Sequence, residues 1–154
     1  MTTAQRRTLN FASLDDVMPE VERLMAGHVT VGKWTLGEIC DHLATTMNRA
    51  LDGFPKPMPW IVRRTIGPFF LKKILSDGAM ATGIKVPELL MPKPGTDAHQ
   101  SAEALRTAIQ RLKNAPDPPP ENAFFGFMSK DQMLRLQTIH TAHHLSFAVP
   151  TSGK

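Results

Sequence analysis

The sequence predicts an all-α fold, an antiparallel four-helix bundle, on three observations. Apolar residues recur at spacings of three and four in four separate stretches, the period of a one-sided helix. A capping residue precedes each stretch. Alternating valine- or isoleucine-rich segments, the mark of half-buried strands, are missing. At 154 residues the chain fits one domain with a core of its own.

The first stretch places Leu14, Val17, Val21, Leu24 and Met25 on one stripe, with Ser13 and Asp16 spaced as a capping box. A start at Asp15 or Asp16 puts Pro19 in the first turn, where its missing N–H is not needed. Gly27 suits the end. In the second stretch Thr35 and Glu38 form another capping box ahead of Leu36, Ile39, Cys40, Leu43, Met47, Ala50 and Leu51. Gly53 and the prolines at 55, 57 and 59 stop that helix.

Between the second and third main helices lie an extra helix and a long loop. Trp60 to Ser76 reads as a helix broken at Gly67-Pro68, since a residue before proline is pushed out of the α region. Residues 77–95 hold glycines, prolines and scattered apolar residues, a loop long enough to shape a pocket. The third main helix runs from about Ala98 to Lys113, capped by Thr96 or Asp97, with Ala102, Leu105, Ile109 and Leu112 inward. A proline-rich connector from Pro116 to Glu121 follows. The last helix opens with Ser129 and Gln132 as an S-x-x-Q box and runs to about Phe147 or Ala148, before Pro150.

Composition excludes several functions. Cys40 is the only cysteine, so an intrachain disulfide and a thiolate cluster are both ruled out, and a metal site would use histidines and carboxylates. The net charge is +4, but the basic residues come in ones and twos, and Tyr is absent. That pattern argues against nucleic acid and suits anionic small molecules. No apolar run reaches the roughly 18–20 residues of a membrane span. Arg6-Arg7 is followed by acidic, periodic sequence instead of an apolar export region, so the pair reads as surface charge and the expected location is the cytoplasm.

The chemistry lies in the histidines. On the last helix the inward row is Met133, Leu136, Gln137, His140, His144 and Phe147. It carries two imidazoles one turn apart, about 6 Å along the axis. Burying both without partners leaves ring nitrogens unsatisfied, whereas a shared ion occupies one on each. His42, at the edge of the second helix's stripe, is a third ligand candidate. His143 falls beside the row, and His28 and His99 sit at helix ends in solvent, where His28 can also favour the first helix's dipole.

The segments W-T-L-G-E-I-C-D-H-L (Trp34 to Leu43) and L-R-L-Q-T-I-H-T-A-H-H-L-S-F (Leu134 to Phe147) together resemble the DinB/YfiT-like metal-binding superfamily. The match covers most of the chain in helix order. The F-F-G-F-M-S segment (Phe124 to Ser129) and the doubled His143-His144 resemble a branch known only as a domain of unknown function. The resemblance implies that a histidine of the second helix joins an H-x-x-x-H pair of the last, which makes His42, His140 and His144 the metal ligands. Many members follow the final ligand with H-R-G-Q. This chain has His144-Leu145-Ser146-Phe147, a difference that bears on substrate and activity more than on fold or metal.

Three neutral imidazoles leave a divalent ion, Zn, Ni or Fe, with an open position, the pattern of a catalytic site. By the same resemblance, the expected activity is that of a metal-dependent hydrolase or thiol-dependent S-transferase on a small molecule, with water or a low-molecular-weight thiol as nucleophile. Gln137 and Glu38, each one turn before a histidine, are the candidate hydrogen-bond partners of the ligands, although Glu38 is also the capping-box residue. Cys40 reads as core. The alternative is a non-catalytic bundle that the metal stabilises or that binds a protein partner. A homodimer through exposed helix faces is common for such bundles.

Overall fold

The computed structural model describes residues 4–151. Those residues form six α-helices, two short 3-10 turns and one two-stranded ribbon. In chain order they are a 3-10 turn (Leu14–Asp16), α1 (Val17–Ala26), β1 (His28–Thr30), α2 (Leu36–Asp52), α3 (Trp60–Arg64) and α4 (Ile66–Asp77). A second 3-10 turn (Glu88–Leu90), α5 (Ala98–Lys113), α6 (Lys130–Leu145) and β2 (Ala148–Pro150) complete the order. None of the helices is long and apolar enough to cross a membrane.

The capping boxes at Ser13, Thr35 and Ser129 form as the sequence predicts, and Asp97 rather than Thr96 caps α5. One apolar cluster collects Val17, Val21 and Leu24 of α1, Leu43 and Met47 of α2, Leu105, Ile109 and Leu112 of α5, and Met133, Leu136 and Leu145 of α6.

Four expectations need correction. The predicted bundle is antiparallel, but α2 and α5, the most extensively packed pair, run parallel. Gly37 at the start of α2 abuts Thr96 and Ala98 at the start of α5, and Asn48 and Asp52 near the end of α2 bond Arg111 near the end of α5. The cause is the long connection through α3, α4 and the 78–97 loop, which returns the chain to the end of α2 where it began. By contrast α1 opposes α5, with Asp15 paired to Lys113 and Glu22 to Arg106.

The break between α3 and α4 falls at Thr65, not at Gly67-Pro68. Pro68 occupies the third position of α4, where no intrahelical N–H is required. Gly67 has no Cβ to meet the proline ring, so it accepts the helical region before a proline. Its small size has a second use: a Cβ there would lie 2.0 Å from the Phe124 carbonyl oxygen.

Helix α6 stops at Leu145, and β2 then pairs antiparallel with β1 in the register His28–Pro150, Val29–Val149, Thr30–Ala148. Strands of three residues are too short for an alternating pattern to be read. Lastly, Arg6 and Arg7 are not free surface charge. Arg7 donates to the carbonyls of Ala148 (2.8 Å) and Leu145 (3.4 Å) and pairs with Glu20, while Arg6 Nε donates to Ser146 Oγ at 2.7 Å. Both guanidinium groups sit at the C-terminal end of α6, where the helix dipole is negative.

Helix α6 is buried on more sides than its histidine row requires. Thr138, Ile139, Thr141, Ala142 and Leu145 are buried as well as Met133, Leu136 and Gln137. Its threonines tolerate this because Thr138 donates to the Leu134 carbonyl and Thr141 to that of Gln137, both at 2.7 Å.

The close approaches at Gly37 and Gly67 give a direct test. A Cβ at Gly37 would lie 2.4 Å from the Thr96 carbonyl oxygen, so Gly37→Ala and Gly67→Ala each force backbone apart. Each should destabilise the protein by about 1–3 kcal/mol, seen as a lower urea midpoint at unchanged slope. An unchanged midpoint in both would show that these approaches do not constrain the packing.

Candidate metal centre

Three imidazoles meet where α2 faces α6. His42 is buried on α2, and His140 and His144 lie half-buried one turn apart on α6. Their Nε2 atoms form a nearly equilateral triangle with edges of 3.3 Å (His42–His140), 3.2 Å (His42–His144) and 3.0 Å (His140–His144). The three side chains are a set able to hold a metal ion.

The protons of this cluster can be traced. His42 Nδ1 lies 2.7 Å from the Leu90 carbonyl, an acceptor, so the proton sits on Nδ1 and the Nε2 lone pair faces the other two rings. Satisfying both contacts of His42 Nε2 then needs an Nε2 proton from each of His140 and His144. Their mutual 3.0 Å contact would then set N–H against N–H.

Adding protons does not relieve the conflict. Burial, then repulsion from His42 and His143, pushes His140 down to about 3. Burial, then His140 and His42, also pushes His144 well below the usual imidazole range. His42 is lowered by burial too, partly opposed by its bond to Leu90 and by Asp41. Three neutral rings with converging lone pairs are what a cation needs. Tetrahedral nitrogens about 2.0–2.1 Å from zinc stand about 3.3 Å apart, close to the observed edges.

The surroundings separate the other candidates. Gln137 is buried on α6, and among the described residues its Oε1 has no hydrogen-bond partner; neither does His140 Nδ1. The sequence pairs these two residues, and the structure leaves an unmet acceptor and an unmet ring nitrogen one turn apart. Glu38 is turned elsewhere. Its Oε2 accepts from Thr35 N–H (2.9 Å) and its Oε1 from Gly95 N–H (3.1 Å), so the carboxylate caps α2 and ties down the end of the 77–95 loop. Cys40 is fully buried in the core, and burial pushes its thiol up to about 12. His143 stands outside the triangle, with its Nδ1 accepting from Arg6 at 3.1 Å.

His99 is exposed as expected. His28 is half-buried rather than free in solvent, and its Nδ1–H donates to the Leu24 carbonyl at the end of α1 (2.8 Å). Two parts of the site escape a reading of the residues. The Trp34 ring stacks on His144 at 5.5 Å and 22° and reaches His42 at 4.9 Å, forming one wall. Its place eight residues before His42 is the only signal. Leu90 acts through a backbone carbonyl, for which the sequence offers none.

The triangle opens onto a cavity of about 1370 Å³, walled by α2, α4, α6 and the 80–91 segment. The fold and site thus define a mostly helical protein with a three-histidine cluster at the wall of a large cavity. Residues 3–151 match the family described as "Protein of unknown function (DUF1569)", and the chain belongs to it. No curated protein and no solved structure matches the chain.

Neutral burial of the imidazoles sets the pH dependence of the metal-free protein. His140 titrates at about 3 when folded, and an exposed imidazole titrates near 6.5. Between those values the unfolded chain holds more protons, so this stabilisation is complete above about pH 6.5 and is lost as pH falls. Moving from pH 7.5 to pH 5 with chelator present should remove on the order of 2 kcal/mol through His140 alone. Urea denaturation at the two pH values measures it. Equal midpoints would mean that the rings are solvated.

Proposed function

We propose that His42, His140 and His144 bind one divalent ion, Zn, Ni or Fe, and that the chain is a metal-dependent hydrolase or thiol-dependent transferase. The observation that carries this reading is the Nε2 triangle, with edges of 3.0–3.3 Å, at the wall of a large cavity. Three protein nitrogens on one side and a cavity on the other suit a site with an open position. When bound there, such an ion supplies Lewis acidity and lowers the pKa of a water or low-molecular-weight thiol beside it.

The protein's own groups prepare the site. The Leu90 carbonyl fixes the His42 tautomer, and burial keeps the three rings neutral. Trp34 covers one face of the cluster. On this reading Gln137 Oε1 turns to accept the Nδ1–H of His140, and both buried orphans are satisfied. The same reading takes α1, α2, α5 and α6 as the four helices of a DinB/YfiT-like bundle, supported by helix order and by a second-helix histidine meeting an H-x-x-x-H pair.

Metal content tests the site first. Purified protein should carry about one divalent ion per chain, and His140→Ala and His144→Ala should each lose it. Wild-type metal content in both variants would sink the assignment. In a Trp60→Phe background, adding Zn, Ni or Fe(II) to metal-free protein should change the fluorescence of Trp34, which stacks on His144. Chelation that leaves the helical circular dichroism intact favours catalysis, whereas unfolding favours the structural alternative. Absence of metal-dependent turnover with every physiological thiol tried would remove the transferase.

A further inference from the structure

The cavity's shape and chemistry point to a class of ligand. Along α2 its wall runs through His42, Thr46 and Ala50 at a spacing of four, then Phe54 beyond the helix end. His42 to Ala50 spans about 12 Å of axis. Beyond the helix end the Phe54 and Phe124 rings meet edge to face at 5.7 Å, and Phe70, Ile84, Met91 and Phe125 also line the cavity. Thr46 and Asn122 on this path are already engaged, while Gln137 beside the histidines keeps an unmet Oε1 among the described residues. Thr46 donates to the His42 carbonyl, and Asn122 Oδ1 accepts from the N–H groups of Phe124 and Phe125. A polar molecule of metabolite size would leave most of such a wall unused.

Charge at the mouth has a sign. Lys33 and Lys85 line the cavity, and neither is in an ion pair among the described residues; Glu88 is the single acid on the lining. Lys33 adjoins Trp34, which places it at the histidine end.

We propose that the cavity binds an anionic amphiphile, its acidic head toward the histidines and Lys33 and a hydrocarbon body of roughly eight to twelve carbons along the 12 Å groove. The proposal names the substrate class of the site proposed above and rests on that reading only for chemistry, since the groove exists without an ion.

Calorimetric titration of metal-free protein with n-alkanoates from hexanoate to tetradecanoate tests it. Affinity should rise about fourfold per methylene until the groove is filled, then level off. Ala50→Phe should weaken dodecanoate at least tenfold and leave hexanoate unchanged. Lys33→Ala with Lys85→Ala should weaken dodecanoate but not dodecanol. Phe69, 67% exposed and outside the cavity, is the control, and Phe69→Ser should change nothing.

No alkanoate binding overturns the proposal. So does binding that Phe69→Ser lowers and Ala50→Phe does not, which is surface adsorption. Repeating the titration on His140→Ala/His144→Ala protein, with metal content measured alongside, separates the two readings. Wild-type protein that binds alkanoate but takes up no divalent ion, or a variant that keeps full metal content, removes only the metal; metal uptake by wild-type protein that binds no alkanoate removes only the amphiphile.

Discussion

The hydrogen bond from His42 Nδ1–H to the Leu90 carbonyl is the constraint on which the site depends. It joins the one ligand candidate outside α6 to a loop otherwise shaped by glycines and prolines. It also removes the only other proton arrangement open to a neutral His42, leaving a lone pair directed at His140 and His144. No choice of tautomers satisfies all three Nε2 contacts of neutral rings, and this bond fixes His42 as the ring whose lone pair faces the other two.

The same bond explains why the fold carries so long a connection between α2 and α5. A short hairpin would have made them antiparallel neighbours. The actual path runs through α3 and α4, then comes back along the 78–97 loop to the N-terminal end of α2. There Glu38 and Asp41 hold the backbone N–H groups of Gly95 and Lys93, while His42 holds Leu90 one turn further on. Three side chains on one edge of α2 therefore position the loop. The parallel packing of α2 on α5, which Gly37 makes close enough, follows from where that loop delivers the chain.

Much of this was legible in the sequence, and the reason differs by part. Capping boxes at Ser13, Thr35 and Ser129 are local chemistry, so four main helices could be placed within a few residues. The i, i+4 spacing of His140 and His144 forces one face, and His42 was a third candidate at the edge of the second helix's stripe that the family resemblance turned into a firm choice. Helix direction, the break at Thr65 and the β1–β2 ribbon were not legible. Helix direction and the ribbon are decided by partners distant in sequence, the α5 N-terminus and a three-residue strand with no period of its own, while the helix runs through Gly67-Pro68 because Gly67 lacks a Cβ and Pro68 sits in the first turn. The contacts of exposed Arg6 and half-buried Arg7 escaped the sequence for the same reason, since their acceptors lie about 140 residues away.

What unifies these features is the unusual position of α6. A helix with one apolar stripe could have left its histidines on the solvent side. Here residues at 138, 139, 142 and 145 bury the opposite flank while Met133, Leu136 and Gln137 are buried on the histidines' own side, so the His140–His144 row faces something other than bulk water. That something is α2 on one side and an apolar cavity on the other. Burial of this kind is costly for three imidazoles and tolerable for three imidazoles around a cation. The same apolar wall that depresses their protonation also gives a hydrocarbon body a surface to occupy, so the metal and the apolar ligand proposed for this site would draw on one physical origin.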